Sequence, residues 1–327
     1  MEPGDAVGHY IVEAFLGAGG MASVYRARHQ ALGSAHAIKV LRADLARSAS
    51  LRERFLHEGR VLAQIRHPGL VRVTDVVDAP GVAGLVMDLL EGRDLDRRLR
   101  EGGPLSETEA ASVMVQVLAT VGLAHTAGVI HRDLKPANLF LVENERPIGV
   151  RVLDFGIAKV RGHDQTREGS TMGTLAYMSP EQIADPARVD ARSDLYALGV
   201  VLYEMVTAAT PFPGSTDYAV MTRIVAGEVA PLPDHVGQLG PIIARAIRPE
   251  PADRFAEAAA FADALRPYAA PDAVARVDGW GWIMGDAGSA YWIGRNALEI
   301  TLLISAPLFI SALVTGLIVS IFQAATQ

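Results

Sequence analysis

The stretch HRDLKPAN at residues 131–138, followed by DFG at residues 154–156, decides how this sequence is interpreted. Asp133 is a carboxylate that can accept the proton of a hydroxyl group. Asn138 and Asp154 can hold Mg²⁺ through oxygen atoms, which this hard cation prefers. Transfer of a phosphoryl group requires in-line positioning and positive charge beside the phosphates, and little covalent chemistry by the protein. The two stretches therefore predict a site where a phosphoryl group, a hydroxyl group and a cation meet.

The scarcity of lysine supports this interpretation. The chain has 30 lysine and arginine residues, and Lys39, Lys135 and Lys159 are the only lysines among them. A compact ammonium and a planar guanidinium are not interchangeable at a phosphate. We interpret Lys135, inside the first stretch, and Lys39, in a predicted strand at residues 36–41, as point charges for phosphates. The alternative is that a few lysines fall at these positions by chance.

Length and composition limit the classes of protein to consider. The 327 residues exceed one average domain and predict two or three compact units. A formal net charge of −7 gives no basic surface for nucleic acid, and the lack of cysteine excludes disulfides and thiolate metal sites. Residues 1–9 lack a secretion signal and are interpreted as the N-terminal tail of a cytoplasmic domain. The mean hydropathy of +0.21 is high for a soluble protein, and the apolar excess lies at the C-terminal end.

A glycine-rich loop follows the N-terminal tail. Its sequence, GAGGMASV at residues 17–24, lies between predicted strands at residues 10–16 and 25–29. Glycines let backbone N–H groups approach phosphates without a Cβ in the way. A dinucleotide-binding loop would instead open a helix. Taken alone, this loop could equally be a plain hairpin turn.

A predicted helix at residues 51–65 carries a carboxylate on its apolar stripe. Apolar residues recur there at helical spacing, and Glu58 lies on the same face. A carboxylate that points inward requires a partner, and Lys39 is the best candidate. The alternative is a Glu58 whose carboxylate reaches the surface.

Two further helices are predicted downstream. Ser106 and Glu109 form a capping box that opens a long helix ending near Ala127. The helix at residues 190–208 is apolar nearly all round, which indicates burial at the centre of a lobe. Asp194 at its start is then a buried carboxylate, expected to accept hydrogen bonds from backbone N–H groups of the 131–138 loop.

In this order and spacing, the motifs resemble those of the bacterial eukaryotic-type (Hanks-type) Ser/Thr protein kinases over about residues 10–268. The resemblance implies an α+β, bilobal protein-kinase fold with a small β-rich N-lobe, containing five strands, and a large helical C-lobe. It implies ATP and Mg²⁺ between the lobes and transfer of the γ-phosphate to Ser or Thr hydroxyls of protein substrates. The implied enzyme class is the non-specific serine/threonine protein kinase.

The resemblance also assigns roles to residues. It implies that Asp133 orients the hydroxyl group, that Lys135 neutralises charge on the transferred group, and that Glu58 positions Lys39 on the α- and β-phosphates. Asn138 and Asp154 are the implied metal ligands. The implied nucleotide site, with adenine bonded to backbone near residues 88–89, consists of Leu16, Gly17, Gly19, Gly20, Val24, Ala37, Lys39, Met87, Leu89, Asn138, Phe140 and Asp154.

The sequence also bears on regulation, and it departs from the usual kinase motifs at two positions. Arg132 before the catalytic Asp133 resembles kinases that are activated by phosphorylation of a loop, and the implied acceptors are Thr166, Ser170 and Thr171. Ala22 replaces the last glycine of the usual loop, and Ser179 replaces the usual alanine before Pro-Glu. Within that last motif, Glu181 is expected to pair with Arg254.

The C-terminal end predicts a membrane segment. Residues 269–295 are interpreted as a linker in which Tyr291 and Trp292 resemble a membrane-interface belt; the alternative is a small packing patch against the kinase lobe. Residues 300–322 contain no charged residue, and a helix of that length would span about 34 Å. A hydrocarbon core is about 30 Å thick. We therefore expect a transmembrane helix within residues 296–327, in the bacterial inner membrane, with the kinase domain cytoplasmic.

The same segment, residues 296–327, resembles the first helix of the FliQ-type subunits of flagellar and type III export gates. That family continues into a second helix, which this sequence does not include. Two alternatives to a tethered kinase follow. One is a fusion to, or a fragment of, a protein-export component that contacts other gate subunits. The other is an ATP-binding pseudokinase scaffold.

Overall fold

The computed structural model describes residues 1–64, 67–79, 81–154, 175–234 and 236–280, apart from the side chains of Glu58 and Pro186. The chain divides after Val274 into two units, and the fold given below is that of the first, together with the helix at residues 271–278 that crosses the boundary. The segment at residues 300–322 and the three candidate phosphorylation sites lie outside the described residues.

An antiparallel sheet of six strands forms the N-terminal lobe, in the order β1-β2-β3-β4-β6-β5. Side chains alternate between its two faces because successive residues of a strand point to opposite sides. Ile38 and Val40 belong to an apolar cluster on one face, whereas Leu41 and Leu85 belong to a cluster on the other. The strands are β1 Ala6–Val7, β2 Tyr10–Ala18, β3 Ala22–His29, β4 Ala35–Leu41, β5 Val73–Ala79 and β6 Val82–Asp88.

The first strand differs from the expectation of five strands and an N-terminal tail. Ala6 and Val7 pair with Ile11 and Tyr10, and Val7 is 1% exposed within the apolar cluster. A strand of two residues beside a glycine turn has too few residues to show the alternation that identifies longer strands. Burial of the Val7 side chain in the apolar cluster stabilises the pairing of this segment with the sheet.

Helix α2, Ala49–Gln64, packs on the Leu41 and Leu85 face, preceded by the short helix α1, Ala43–Ala46. Its Phe55 and Leu56 are buried there. A Cβ atom at Gly59 would lie 2.1 Å from Cδ2 of Leu85. The glycine thus permits close approach of the helix to the face of the sheet that also carries Lys39.

The C-terminal lobe is helical and is centred on α6. This helix buries most of its side chains, begins at the cap Asp190 and ends at Ala208, whose φ of +56° is left-handed. The helices are α3 Leu95–Gly102, α4 Glu107–Thr126, α5 Pro180–Ala184, α6 Ala191–Thr207, α7 Asp217–Ala226, α8 Gly240–Ala246, α9 Ala258–Leu265 and α10 Pro271–Asp278. A three-stranded sheet of β7 Gly92–Asp94, β8 Leu139–Val142 and β9 Gly149–Val152 lies beside the predicted metal-binding turn.

Helix α10 lies inside the stretch interpreted from sequence as a linker. Pro271 begins it, at a position where a missing N–H costs nothing, and alanines continue it. The backbone N–H of Ala270, just before the helix, donates to Oγ of Ser112 at 2.8 Å. Among the residues that the structure describes, no helix combines the length and the apolar character needed to cross a membrane.

Candidate active site

Lys39 and Asp154 meet although they come from different lobes. Lys39 lies on β4 of the N-terminal lobe, and Asp154 follows β9 of the C-terminal lobe. Lys39 Nζ donates to Asp154 Oδ1 at 2.7 Å. The Lys39 side chain is 18% exposed and the Asp154 side chain 46%, so the pair is still accessible from solvent. The contact joins the two charges that the sequence assigns to the phosphates and to the metal.

Cross-strand pairing assembles one wall around Lys39. Val24 on β3 is opposite Lys39, and Met87 on β6 is opposite Ala37. Residues directly opposite each other point to the same face, so these side chains and Lys39 share the face packed by α2. The wall therefore contains four of the predicted nucleotide-site residues.

The glycine-rich loop continues this wall at its outer edge. Gly17 pairs with Val24, and the N–H of Gly19 donates to the carbonyl of Ala22 at 2.8 Å, which closes the turn. Leu16, on β2, is 50% exposed. Ala22, which replaces the usual glycine, is buried and packs in the cluster under the sheet.

The loop before Asp133 is held by Asp194 from the start of α6. The backbone N–H groups of His131 and Arg132 each donate to an oxygen of Asp194, both at 2.8 Å. His125, near the end of α4, bonds the same carboxylate through Nε2 at 2.8 Å. This confirms the sequence prediction for Asp194.

His131 is a buried ring whose tautomer follows from its contacts. Nε2 lies 2.8 Å from the carbonyl oxygen of Leu153, which can only accept, so Nε2 carries the hydrogen. Nδ1 then accepts from the backbone N–H of Asp133 at 3.3 Å. Burial lowers the pKa of His131 and outweighs the opposing effect of Asp194, so the ring stays neutral. The imidazole links Asp133 to the residue that precedes Asp154.

Lys135 and Asn138 surround Asp133. Lys135 Nζ lies 3.3 Å from Asp133 Oδ2, and Asn138 Nδ2 donates to the Asp133 carbonyl at 2.7 Å. The backbone carbonyl of Asn138 accepts from the N–H of Leu153 at 2.8 Å. Because Leu153 directly precedes Asp154, this bond brings Asn138 close to Asp154. With its nitrogen bonded to Asp133, Asn138 presents its Oδ1 oxygen for other ligands.

These donors fit Mg²⁺ chemically. The Asn138 amide oxygen and the Asp154 carboxylate are hard oxygen ligands, and Asp154 is exposed enough to take a phosphate-bound cation. The φ of +50° at Asp154 shows that its backbone is held in an uncommon left-handed conformation.

Not every predicted site residue is placed. The backbone of Glu58 belongs to α2, but its side chain lies outside the described atoms, so its contact with Lys39 stays a prediction. Gly20, Leu89 and Phe140 lie on the loop, the connection between lobes and β8, respectively. The contacts that His125 and Gln182 make near the site were not predicted from the sequence. The Ser-x-x-Gln spacing at residues 179–182 marks Gln182 as a helix-capping residue. The contacts of Gln182 with Arg132 and of His125 with Asp194 join residues far apart in sequence, and no local pattern marks these.

A buried ion pair lies next to the start of α6, which carries Asp194. Arg254 donates to both oxygens of Glu181, each at 2.8 Å, and Ser193 Oγ donates to Glu181 Oε1 at 2.6 Å. Burial alone would raise the pKa of Glu181, but the hydrogen bonds from Arg254 and Ser193 prevail and lower it to about 2. The predicted pairing of Arg254 with Glu181 is confirmed.

Comparison with known proteins agrees with this geometry. The family model for the protein kinase domain matches residues 10–255, and the chain belongs to that family. A probable serine/threonine-protein kinase of Corynebacterium efficiens is 39% identical over 77% of the chain. The serine/threonine-protein kinase pkn3 of Myxococcus xanthus is 40% identical, also over 77%. The chain spans 40% and 48% of the lengths of these two relatives, respectively.

A solved structure gives the same fold. The crystal structure of the Mycobacterium tuberculosis PknI kinase domain superposes with a TM-score of 0.63 at 27% sequence identity. The match covers 82% of this chain and 99% of that one. The bilobal kinase fold expected from the sequence is thereby confirmed.

The C-terminal segment has a separate match. The family model for bacterial export proteins, family 3, matches residues 289–327. This bears out the resemblance to export-gate subunits and extends it by a few residues toward the N-terminus.

Proposed function

We propose that the chain is an ATP-dependent serine/threonine protein kinase with Mg²⁺ as its metal ion. The observation that carries the proposal is the contact of Lys39 with Asp154 between the two lobes, beside the cluster of Asp133, Lys135 and Asn138. A silent ATP-binding scaffold would not need this second cluster. The named relatives are serine/threonine-protein kinases, which supports the same conclusion.

The residues divide the work of phosphoryl transfer. The hydroxyl oxygen of the substrate forms a bond to the γ-phosphorus, the bond from that phosphorus to the β–γ bridging oxygen breaks, and ADP leaves. Asp133 accepts the hydroxyl proton, Lys39 binds the α- and β-phosphates, and Lys135 offsets charge on the transferred group. Asn138 and Asp154 would hold the metal ion, which neutralises charge on the phosphate oxygens when bound. The predicted role of Glu58 is to orient Lys39.

Regulation by autophosphorylation is part of the proposal. Arg132 lies directly before Asp133, and a phosphate on Thr166, Ser170 or Thr171 could bond its guanidinium and order the intervening loop. The charge of the added phosphate would then act on the conformation of the 131–138 loop, which carries Asp133.

We further propose that residues 300–322 tether the kinase to the bacterial inner membrane. The absence of charge across this stretch and the match of residues 289–327 to a family of export proteins support the tether. On this proposal the catalytic domain is cytoplasmic, where ATP and protein substrates are available.

The test compares the full chain with its Asp133→Asn variant. The asparagine keeps the size of the side chain but cannot accept the proton, so transfer of labelled phosphate should fall at least about a hundredfold. Binding of ATP should persist because Lys39 and Asp154 are unchanged. Mass mapping of the wild type should find phosphate between residues 159 and 174, and the variant should have none. Equal transfer by both proteins would overturn the proposal.

The export match favours a second candidate function, in which the C-terminal segment joins an export gate and the kinase domain regulates it. Co-purification of the full chain with other gate subunits, lost when residues 289–327 are replaced by an unrelated membrane span, would support it. Retention of the same partners by the replaced protein would refute it.

A further inference from the structure

Gln182, on the short helix α5, bonds two different parts of the protein with one carboxamide. Its Oε1 accepts from the backbone N–H of Ser179 at 2.9 Å and contacts Ser179 Oγ at 3.2 Å. Its Nε2 donates to the carbonyl of Arg132 at 3.2 Å. A backbone N–H can only donate and a carbonyl can only accept, so the two contacts fix which end of the amide is oxygen.

The Arg132 carbonyl belongs to the peptide unit that leads into Asp133. Arg132 has a φ of +65°, in the left-handed region that residues other than glycine rarely adopt. Asp194 holds the N–H of Arg132, Gln182 holds its carbonyl, and His131 accepts the N–H of Asp133. Both hydrogen-bonding groups of the Arg132 backbone and the N–H of Asp133 are therefore bonded to side chains.

Gln182 also lies next to the base. One small cleft is lined by Gln182, Arg132, Asp133 and Tyr177, among others. Ser179, the departure from the usual sequence before Pro-Glu, is fully buried, and its Oγ also accepts from the N–H of Gln182 at 3.4 Å. Ser179 and Gln182 form a capping box that orients the carboxamide toward the catalytic loop.

We propose that Gln182 is a positioning residue for Asp133, an inference that rests on the proposed kinase function. Its N–H group holds the Arg132 carbonyl, and with it the left-handed backbone that aims the Asp133 carboxylate. The oxygen of the same carboxamide only caps a helix. The two ends of one side chain thus separate a positioning role from a structural one.

The substitution Gln182→Glu tests this division. A glutamate at the third helical position still accepts from Ser179 in a capping box and suits a helix N-terminus, so the fold should be retained. It cannot donate to the Arg132 carbonyl, and its charge opposes that oxygen. We expect kcat to fall about tenfold. The KM for ATP should stay unchanged because Lys39 and Asp154 are not touched.

Two further variants of the full chain complete the design. Gln182→Met removes both the donor and the acceptor of the carboxamide. Its kcat should fall as in Gln182→Glu, and its unfolding temperature should fall as well because the cap is lost. Gln30→Glu makes the same chemical change at an exposed position on the far hairpin and should match the wild type. If Gln182→Glu keeps kcat within about twofold of the wild type, or loses activity only in step with its unfolding temperature, the positioning role is refuted. Inactive wild-type protein would instead refute the proposed kinase function.

Discussion

At the scale of single residues, Arg254 is the most heavily bonded charge in the part of the C-terminal lobe that the structure describes. Besides its two bonds to Glu181, its guanidinium donates to three backbone carbonyls, those of Arg192, Arg248 and Pro249. Its side chain is fully buried. A buried charge of this kind is stable only while its partners remain, because the cost of removing it from water is met by these bonds.

We predict that Arg254→Met lowers the free energy of unfolding at pH 7 by about 3–5 kcal/mol, since it leaves the Glu181 carboxylate buried without its cation. Urea unfolding of the variant and the wild type measures the difference. Arg97→Met provides the control, because Arg97 pairs with Glu101 on the surface of α3. Because solvent screens an exposed pair of that type, Arg97→Met should leave the free energy of unfolding close to that of the wild type.

The same pair predicts a pH dependence. The folded protein lowers the pKa of Glu181 from 4.5 to about 2, so its contribution to stability is present above about pH 4.5 and is lost as pH falls toward 2. In Arg254→Met, burial without the cation should raise the pKa of Glu181, and the proton taken up relieves the buried charge. The deficit of the variant should therefore be smaller at pH 4.5 than at pH 7. A deficit independent of pH would show that lost packing, and not charge, explains it.

At the scale of elements, the crossing of α6 and α8 depends on one glycine. A Cβ at Gly199 would lie 2.7 Å from Cβ of Ala246 and 2.8 Å from Cγ2 of Ile247, and 3.2 Å from a backbone carbon. We predict that Gly199→Ala destabilises the protein by about 1–3 kcal/mol through overpacking, despite the better helix propensity of alanine. Thermal unfolding should show a midpoint several degrees lower.

Gly102→Ala is the matched control for that substitution. Gly102 ends α3, and a Cβ there would meet only the guanidinium end of the half-buried Arg98 side chain, which can move away with the loss of one long hydrogen bond to the Gly103 carbonyl. Its stability should equal or slightly exceed that of the wild type. If both alanines lower the unfolding temperature equally, the close approach of α6 and α8 is not the cause.

The elements also show why some parts of the fold could be predicted from sequence. The capping box of Ser106 and Glu109 and the bounds of α6 follow from signals within a few residues, and the structure has both. The strand at Ala6–Val7 depends on burial of Val7 among residues far along the chain, and the contact of Gln182 with Arg132 also depends on a distant partner. A contact between residues fifty apart leaves no trace in local periodicity.

At the scale of the whole molecule, the sequence identified the residues of the site but not the contact between Lys39 and Asp154. The resemblance of the motifs to those of protein kinases implied that Lys39, Asp133, Asn138 and Asp154 lie in one region. It could not show that Lys39 bonds Asp154, since a lysine in a cleft has several carboxylates within reach. That choice is made by how the two lobes pack, which no single motif encodes.

The whole chain carries a last prediction, on the membrane tether. Arginine at the centre of a membrane helix costs about 3 kcal/mol per residue, so Ile310→Arg with Leu313→Arg should release the kinase from membranes. Gln323→Arg with Gln327→Arg adds the same charge after the apolar stretch and should leave it bound. Fractionation of cells, with an alkaline wash of the membrane pellet, measures the distribution. Wild-type protein in the soluble fraction would contradict the tether, whereas release of only the first variant would support it.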